Sequence, residues 1–162
     1  MNLLSESRFN AYNQLAVVTL MLLLGFNIND ILKNMSKLKI ADTRYEKLQL
    51  GNNKHLIKHL TKGQNPLACS NVFDFVKKYE GKKNVILMLD DKSDNEDGVE
   101  VILWHYDADY EFLNDPSIER IIIIGPRSKD IYVRALLAGI DSNKLFVFEN
   151  QKDAYNYITI DR

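Results

Sequence analysis

Apolar residues near the start of the chain follow a helical pattern. From Phe9 to Leu24 the sequence predicts one helix, apolar almost all round in its second half and therefore buried, which Gly25 ends. A second, shorter helix is predicted after it, with Asn29 or Asp30 as its cap. Apolar residues recur there at three- and four-residue spacing between Ile31 and Leu38. The first part of the chain is therefore a helical pair.

The next stretch alternates polar and apolar residues, which is typical of strands with one exposed face. TRYEKLQL (43–50) and KHLIKHL (54–60) show this alternation, and a turn at Gly51, Asn52 and Asn53 separates them. These residues predict a β-hairpin.

The remainder of the chain contains three continuous apolar runs, NVILML (84–89), RIIIIG (120–125) and KLFVFE (144–149). Such runs are typical of strands buried on both faces of a parallel sheet. The helices predicted around them are Cys69 to Tyr79, Asp107 to Leu113, Ser128 to Ala138 and Lys152 to Tyr157. Strand alternating with helix predicts a doubly wound α/β fold, whose boundary with the helical part falls between Ile40 and Lys54.

Composition disfavours a nucleic-acid role and favours one cellular compartment. Twenty-one Lys and Arg against 22 Asp and Glu give a net charge of −1, so no overall positive field attracts nucleic acid. The single cysteine, Cys69, closes no internal disulfide, which favours a reducing cytoplasm. On an apolar helix face it is read as a core residue rather than a nucleophile.

The apolar run from Leu15 to Phe26 is the one candidate for a membrane or export segment. A membrane span needs about 20 apolar residues, so this run is too short. The alternative is a secretion signal, for which the length fits. Two features oppose a secretion signal. The negative charge of Glu6 cancels the positive charge of Arg8 upstream of the run, and no small residues downstream form a cleavage site. A buried helix is the preferred interpretation.

Two loops follow predicted strands. None of the 7 glycines forms a phosphate-binding motif, but residues 125–130 (GPRSKD) open a helix where backbone N–H groups and Arg127 could meet an anion. An ordinary turn with Ser128 as N-cap is an equal alternative. The acidic stretch of residues 90–98 fails the spacing of a calcium loop and is read as solvated.

No metal site is predicted. His55 and His59 would share one side of a helix or strand, but no third ligand accompanies them, so solvated histidines are favoured over a metal pair. The run GVEVILWHYDADYEFL (98–113) groups Trp104 and His105 with carboxylates. Asp107 and Asp109 at the start of a structural helix explain much of this grouping.

Several of these segments together resemble a known family. RFNAYNQLA (8–16), TRYE (43–46) and the α/β remainder are similar to the last part of the Mur ligases, the ATP-dependent amide-forming enzymes of cell-wall synthesis. KGQNPLACSNVFDF, DDKSDNEDG, WHYDADYEFL and GPRSKDIYVRALLAG look most like the MurT type, which amidates lipid II. The resemblance implies a Rossmann-like C-terminal domain with a mostly parallel sheet over residues 51–162. Residues 1–50 would be a short helical remnant of the central domain.

The resemblance also implies nucleotide contacts. Asn10 and Asn13 match the family's asparagine pair, of which the second faces the adenine of ATP. Arg44 matches the hinge arginine that approaches the nucleotide phosphates. Apart from the resemblance, Asn10 and Asn13 would simply begin a helix, and Arg44 would be a surface residue of a strand.

In the MurT type, an acidic residue after an Asp-Gly step orients the catalytic histidine of a glutaminase partner of the GatD type. Here Asp97 and Gly98 precede Glu100, so Glu100 is the candidate triad acid and Asp97 belongs to the same motif. The family has an aspartate there, and the stretch to Trp104 is one residue longer in this chain. The alternative is an exposed strand-edge glutamate.

The family's phosphate-binding loop, magnesium ligands and zinc ribbon match no part of this sequence. We therefore expect no ATP hydrolysis and no bound cofactor for this chain alone, and ATP only when a second chain carrying the phosphate-binding part joins it. The predicted role is a partial subunit in the amidation of lipid II, acting as a lid over the nucleotide. The alternative is a non-catalytic binding module or a ligase remnant.

Overall fold

The structure, a computed structural model, describes residues 8–38, 45–51, 54–61, 64–89 and 102–160. The chain divides into two compact units, Met1–Leu60 and Thr61–Arg162. The assignment of residues 1–50 to a ligase central domain and of residues 51–162 to a C-terminal domain stays a prediction.

The first unit begins with the predicted helical pair, α1 (Arg8–Leu23) and α2 (Ile28–Met35). Gly25 ends α1 as predicted: its φ is +85°, and the N–H of Phe26 donates to the carbonyl of Met21 at 3.0 Å. This pattern is the Schellman motif, which needs a left-handed residue at the glycine position. Burial differs from the prediction, because only one stripe of α1 is covered in this chain.

The cap of α2 differs from the predicted Asn29 or Asp30. Asn27 is the N-cap, and its side-chain oxygen accepts a hydrogen bond from the N–H of Asn29 at 2.8 Å. The predicted residues are therefore already inside the first turn. Asn27, Asn29 and Asp30 are all of residue types that can cap a helix, and the first of them after the Gly25 turn takes this position.

The predicted hairpin is confirmed. Strands β1 (Tyr45–Gln49) and β2 (His55–His59) pair antiparallel, with Tyr45 opposite His59 and Leu48 opposite Leu56. The rings of Tyr45 and His59 meet edge to face, with their centroids 4.9 Å apart. This cross-strand contact stabilises the end of the hairpin.

The second unit is the predicted α/β part. Its helices and strands are α3 (Pro66–Lys78), β3 (Lys83–Met88), β4 (Ile118–Ile124), α4 (Ser128–Leu137), β5 (Leu145–Phe148) and α5 (Gln151–Ile160). The three strands form a parallel sheet in the order β3-β4-β5. The fold class is therefore confirmed as mixed α/β with a parallel sheet, consistent with a Rossmann-like domain.

Burial in the sheet follows the position of each strand. The central strand β4 is buried at Ile118 and from Ile121 to Ile124, as expected for a strand covered on both faces. The prediction of burial on both faces is wrong for β3, where Ile86 and Met88 are 43% and 60% exposed. Within the described residues, β3 is an edge strand with β4 as its only neighbour.

The predicted helix from Asp107 to Leu113 is wrong. Two 3₁₀ turns stand there instead, Ile102–His105 and Tyr110–Leu113, separated by Tyr106 to Asp109. Asp109 is the N-cap of the second turn but makes no side-chain capping bond. Side chains three residues apart eclipse in a 3₁₀ turn, and this places both Tyr110 and Leu113, each 1% exposed, in the core.

The turn after β4 requires a glycine. Gly125 has φ +124°, and a Cβ atom there would lie 2.1 Å from the carbonyl oxygen of Leu89, the residue after β3. The N–H of Gly125 also donates to the carbonyl of Phe148 at 3.0 Å. The absence of a side chain therefore lets the ends of all three strands approach each other.

Hydropathy gives no support for a transmembrane helix. Across the described ranges, every helix falls short of the length and apolar character that crossing a bilayer demands.

Gly125→Ala should destabilise the protein by about 3 kcal/mol, since the new methyl group meets backbone as well as an unfavourable φ. Gly81→Ala is the matched control, because Gly81 has φ +86° but no atom within 4 Å of the added Cβ. We expect it to cost only about 1 kcal/mol. Urea unfolding measures both, and equal losses would show that the contact with Leu89 is unimportant.

Candidate functional site

The two 3₁₀ turns form the candidate site, which lies between β3 and β4 along the chain. In the first turn, Ile102 and His105 are buried, at 7% and 5% exposed. Leu103 and Tyr106 point the other way and are 70% and 42% exposed. The i, i+3 spacing of each pair explains this division into an inner and an outer side.

His105 is held between two aromatic side chains. Its Nδ1 lies 2.7 Å from the hydroxyl of Tyr110, and its ring stacks on Trp104 with centroids 3.8 Å apart. Tyr110 in turn packs edge to face on Phe73 of α3, at 4.8 Å. This chain of rings fixes the first turn against the core.

Burial changes the acid–base chemistry of this cluster. It lowers the pKa of His105 to about 4, although the charge of Asp130 opposes the shift. It also raises the pKa of the Tyr110 hydroxyl and raises that of the Cys69 thiol to about 12. At neutral pH all three groups are uncharged, so Cys69 is a core thiol, as the sequence predicts, and no nucleophile.

Arg134 of α4 holds the second turn and the backbone that leads into it. Its Nη2 donates to the carbonyl of Ala108 at 2.8 Å and to both carboxylate oxygens of Glu111, at 3.0 and 2.9 Å. Its guanidinium also lies over the ring of Tyr110, 5.2 Å from the centroid. The hydrogen bond from Arg134 holds the pKa of Glu111 below its ordinary value. A buried charge is thus compensated by a carboxylate, a carbonyl and an aromatic face.

Helix α3 supplies a further contact. The hydroxyl oxygen of Ser70, which is 4% exposed, accepts a hydrogen bond from the N–H of Asp109 at 2.9 Å. This contact holds the backbone between the two turns. The inner side of the arrangement is thus a packed support in which the buried charge of Arg134 is paired, and Leu103 and Tyr106 are presented on the outer side.

The loop of residues 125–130 does not have the predicted capping residue. Arg127 is the N-cap of α4 and makes no side-chain capping bond, so Ser128 is the first helical residue and is completely buried. Arg127 forms an ion pair with Asp130, with the Arg127 Nε and Asp130 Oδ2 atoms 3.4 Å apart. An anion at this helix end would have to compete with Asp130 for the guanidinium.

Of the predicted site residues, only Asn10 and Asn13 lie within the described ranges, so the predicted grouping stays a prediction. Asn13 is exposed on α1; Asn10 lies on the same helix, but its side chain is not among those described. Arg44, Asp97 and Glu100 lie outside the described residues, as does the acidic stretch.

The histidine pair of β2 does not form a metal site. His55 and His59 are four residues apart on a strand, and about 3.3 Å per residue separates them by about 13 Å. Burial lowers the pKa of His59. Across the described part of the chain, no three histidine, cysteine or acidic side chains are grouped as metal ligands would be.

Arg134 is the supporting residue of the candidate site that the sequence analysis does not identify. It lies among buried positions of α4, with Ile131, Ala135 and Ala138 on the same face. A cation within an apolar helical stripe was the available signal, since a buried cation requires partners.

The chain matches a family of known proteins. The family model described as MurT ligase C-terminal matches residues 56–161. The chain is also similar to two curated proteins, both described as lipid II isoglutaminyl synthase (glutamine-hydrolyzing) subunit MurT, from Staphylococcus aureus strains COL and N315. Each is 32% identical over 133 residues, which cover 82% of this chain and 29% of the relative. The chain therefore spans less than a third of the length of these relatives.

Arg134→Met should lower the free energy of unfolding by about 2–3 kcal/mol, because it leaves the Ala108 carbonyl without its donor. Lys129→Met is the control: it breaks an ion pair with Glu149 whose two side chains are 81% and 63% exposed, and should leave the unfolding midpoint unchanged. Urea unfolding of both variants checks this. An unfolding midpoint of Arg134→Met equal to that of Lys129→Met would refute the stabilising role of Arg134.

Stability should fall as the pH drops from 6.5 towards 4. His105 is neutral in the folded state, with a pKa of about 4, whereas in the unfolded chain it takes up a proton below about 6.5. In this window, protonation of His105 in the unfolded chain therefore lowers the free energy of unfolding by about 1 kcal/mol per pH unit.

His105→Gln should flatten this pH dependence of stability, as measured by urea unfolding at pH 7 and pH 5. Fluorescence of Trp104, the only tryptophan, reports the same site. An unchanged slope would contradict the assignment.

Proposed function

Because this chain belongs to the MurT ligase C-terminal family, we propose that it takes part in the amidation of a peptidoglycan precursor, in which the D-glutamate of lipid II becomes D-isoglutamine. The observation that carries this proposal is the 32% identity over 133 residues to subunits of a glutamine-hydrolysing lipid II isoglutaminyl synthase. The lone cysteine favours a cytoplasmic location for this reaction.

The proposed activity needs partners. This chain matches only 29% of the relatives' length, so most of the residues of those proteins have no counterpart in it. We propose a glutaminase subunit of the GatD type as the source of ammonia. The phosphate-binding part of the ligase would come from the polypeptide that corresponds to the rest of the relatives, over which this chain acts as a lid.

The described residues do not form a nucleotide site by themselves. Asn13 is exposed on α1, and its amide could hydrogen bond an adenine, but no described glycine-rich loop cradles phosphates near it. We propose that Asn10, Asn13 and Arg44 contact ATP only when the rest of the ligase is present. This chain alone would then bind no nucleotide and catalyse no ligation.

Glu100 is the proposed acid of the glutaminase triad, within the motif that Asp97 opens. In glutamine hydrolysis the partner's cysteine attacks the side-chain amide, ammonia leaves, and water releases glutamate. A carboxylate holds the histidine of such a triad in the correct tautomer and stabilises its charged form. Glu100 precedes the buried Ile102 by two residues, so the motif adjoins the part of the chain that Arg134 and Tyr110 support.

A non-catalytic binding module is the second candidate function. Leu103 and Tyr106 expose apolar surface directly after the Glu100 motif, which favours protein docking whether or not ligation follows. Binding of a glutaminase without any effect of Glu100 on its activity would favour this alternative.

Glu100→Ala should lower glutamine hydrolysis at least about 100-fold in a complex of this chain with a GatD-type glutaminase, because the triad histidine loses its orienting acid. Release of glutamate measures this. Glu100→Asp, which restores the family's residue, should keep most of the activity, and Glu96→Ala in the same acidic stretch is the matched control. Full activity of Glu100→Ala in an intact complex would rule out the triad role.

A further inference from the structure

The first 3₁₀ turn, Ile102–His105, comes directly after the motif that contains Glu100. Glu100 precedes Ile102 by two residues, and Ile102 is buried. Two residues of chain reach about 7 Å at most, so a displacement of this turn is passed on to the motif before it. A side chain that orients a catalytic histidine must be held within about 0.5 Å of its productive position. The proposed role of Glu100 therefore requires that this turn be firmly anchored.

His105 is the polar anchor of the first turn. Its Nε2 atom is buried without a hydrogen-bond partner, so among the described residues the ring makes one hydrogen bond, between Nδ1 and the Tyr110 hydroxyl at 2.7 Å. Stacking on Trp104 limits the tilt of the imidazole ring but not its movement within its own plane. The hydrogen bond to Tyr110 therefore fixes where His105 lies in that plane.

Tyr110 is itself held by two helices. Its ring packs edge to face on Phe73 of α3, with centroids 4.8 Å apart, and the guanidinium of Arg134 of α4 lies over it. Only 1% of Tyr110 is exposed, so it can affect a bound partner only through other residues of this chain. Its hydroxyl is thus a fixed point to which the first turn is attached.

We infer that Tyr110 is a positioning residue for the proposed triad acid: its hydroxyl, acting through His105, fixes the turn that determines the position of Glu100. This inference rests on the proposed function for the role of Glu100. It adds a residue that contacts neither glutamine nor the partner's cysteine and that acts through the placement of another side chain.

The test is Tyr110→Phe, which removes the hydroxyl and keeps the ring. In a complex of the full chain with a GatD-type glutaminase, we expect kcat for glutamine hydrolysis to fall about tenfold, because the triad acid is misplaced. KM for glutamine and recovery of the complex should stay unchanged. Tyr132→Phe is the matched control. Tyr132 is half-buried against the same hydrophobic core, and its hydroxyl makes no hydrogen bond within the described ranges, so kcat should be retained.

A double-mutant cycle with Glu100→Ala distinguishes positioning from a general structural role. Because Tyr110 is inferred to act through Glu100, Tyr110→Phe should not lower the residual rate of the Glu100→Ala complex any further. His105→Phe removes the other partner of the hydrogen bond and keeps a ring to stack on Trp104, so it should give the same loss of kcat. Combining it with Tyr110→Phe should add nothing, and this double variant leaves no nitrogen of residue 105 buried without a partner.

Three results would overturn the inference: full kcat of Tyr110→Phe, an equal further loss of rate in the Glu100→Ala complex, or loss of the complex in both Tyr110→Phe and the double variant. The second and third results would assign the hydroxyl a structural role only. Full activity of Glu100→Ala would remove the proposed triad role and this inference with it. Reduced activity of Glu100→Ala together with full activity of Tyr110→Phe would remove this inference alone, so the two failures are distinguishable.

Discussion

The buried guanidinium of Arg134 is the contact on which the arrangement of residues 108–111 depends. It bonds the carbonyl of Ala108, 26 residues away, and the carboxylate of Glu111, and it covers the ring of Tyr110. A charge buried without such partners would destabilise the fold by several kcal/mol. The same contact holds the second 3₁₀ turn, which has little stability of its own, against α4.

Much of the fold could be predicted from local pattern. The apolar runs predict β3, β4 and β5, and the alternation on both sides of Gly51 predicts the hairpin, because each depends on residues close in sequence. The segment from Ile102 to Leu113 could not be predicted in this way. Its form depends on Ser70, 39 residues before Asp109, and on Arg134, so short-range periodicity suggested one helix where tertiary contacts impose two turns.

For the candidate site, the family resemblance rather than the local pattern indicates the segment. The resemblance of the WHYDADYEFL block directs attention to the segment that forms the two 3₁₀ turns, but not to the pairing of His105 with Tyr110 or to Arg134. Those contacts join residues whose proximity exists only in the folded chain. Asn13 is the opposite case. Its predicted contact with a nucleotide comes from the family resemblance alone, and its exposed position on α1 gives no further indication of that role.

The two units bury their apolar side chains to different extents. In the second unit, apolar side chains of β4 and α4 meet each other, and residues such as Ile121, Ile123 and Ala135 are completely buried. In the first unit, α1 carries more apolar surface than one neighbouring helix can cover. Complete burial of a leucine is worth about 1.5–3 kcal/mol, so exposed leucines along one helix are a large unrealised stabilisation. Among the described residues, the side of α1 that bears Leu20 and Leu23 therefore lacks the mutual coverage that apolar side chains have in the second unit.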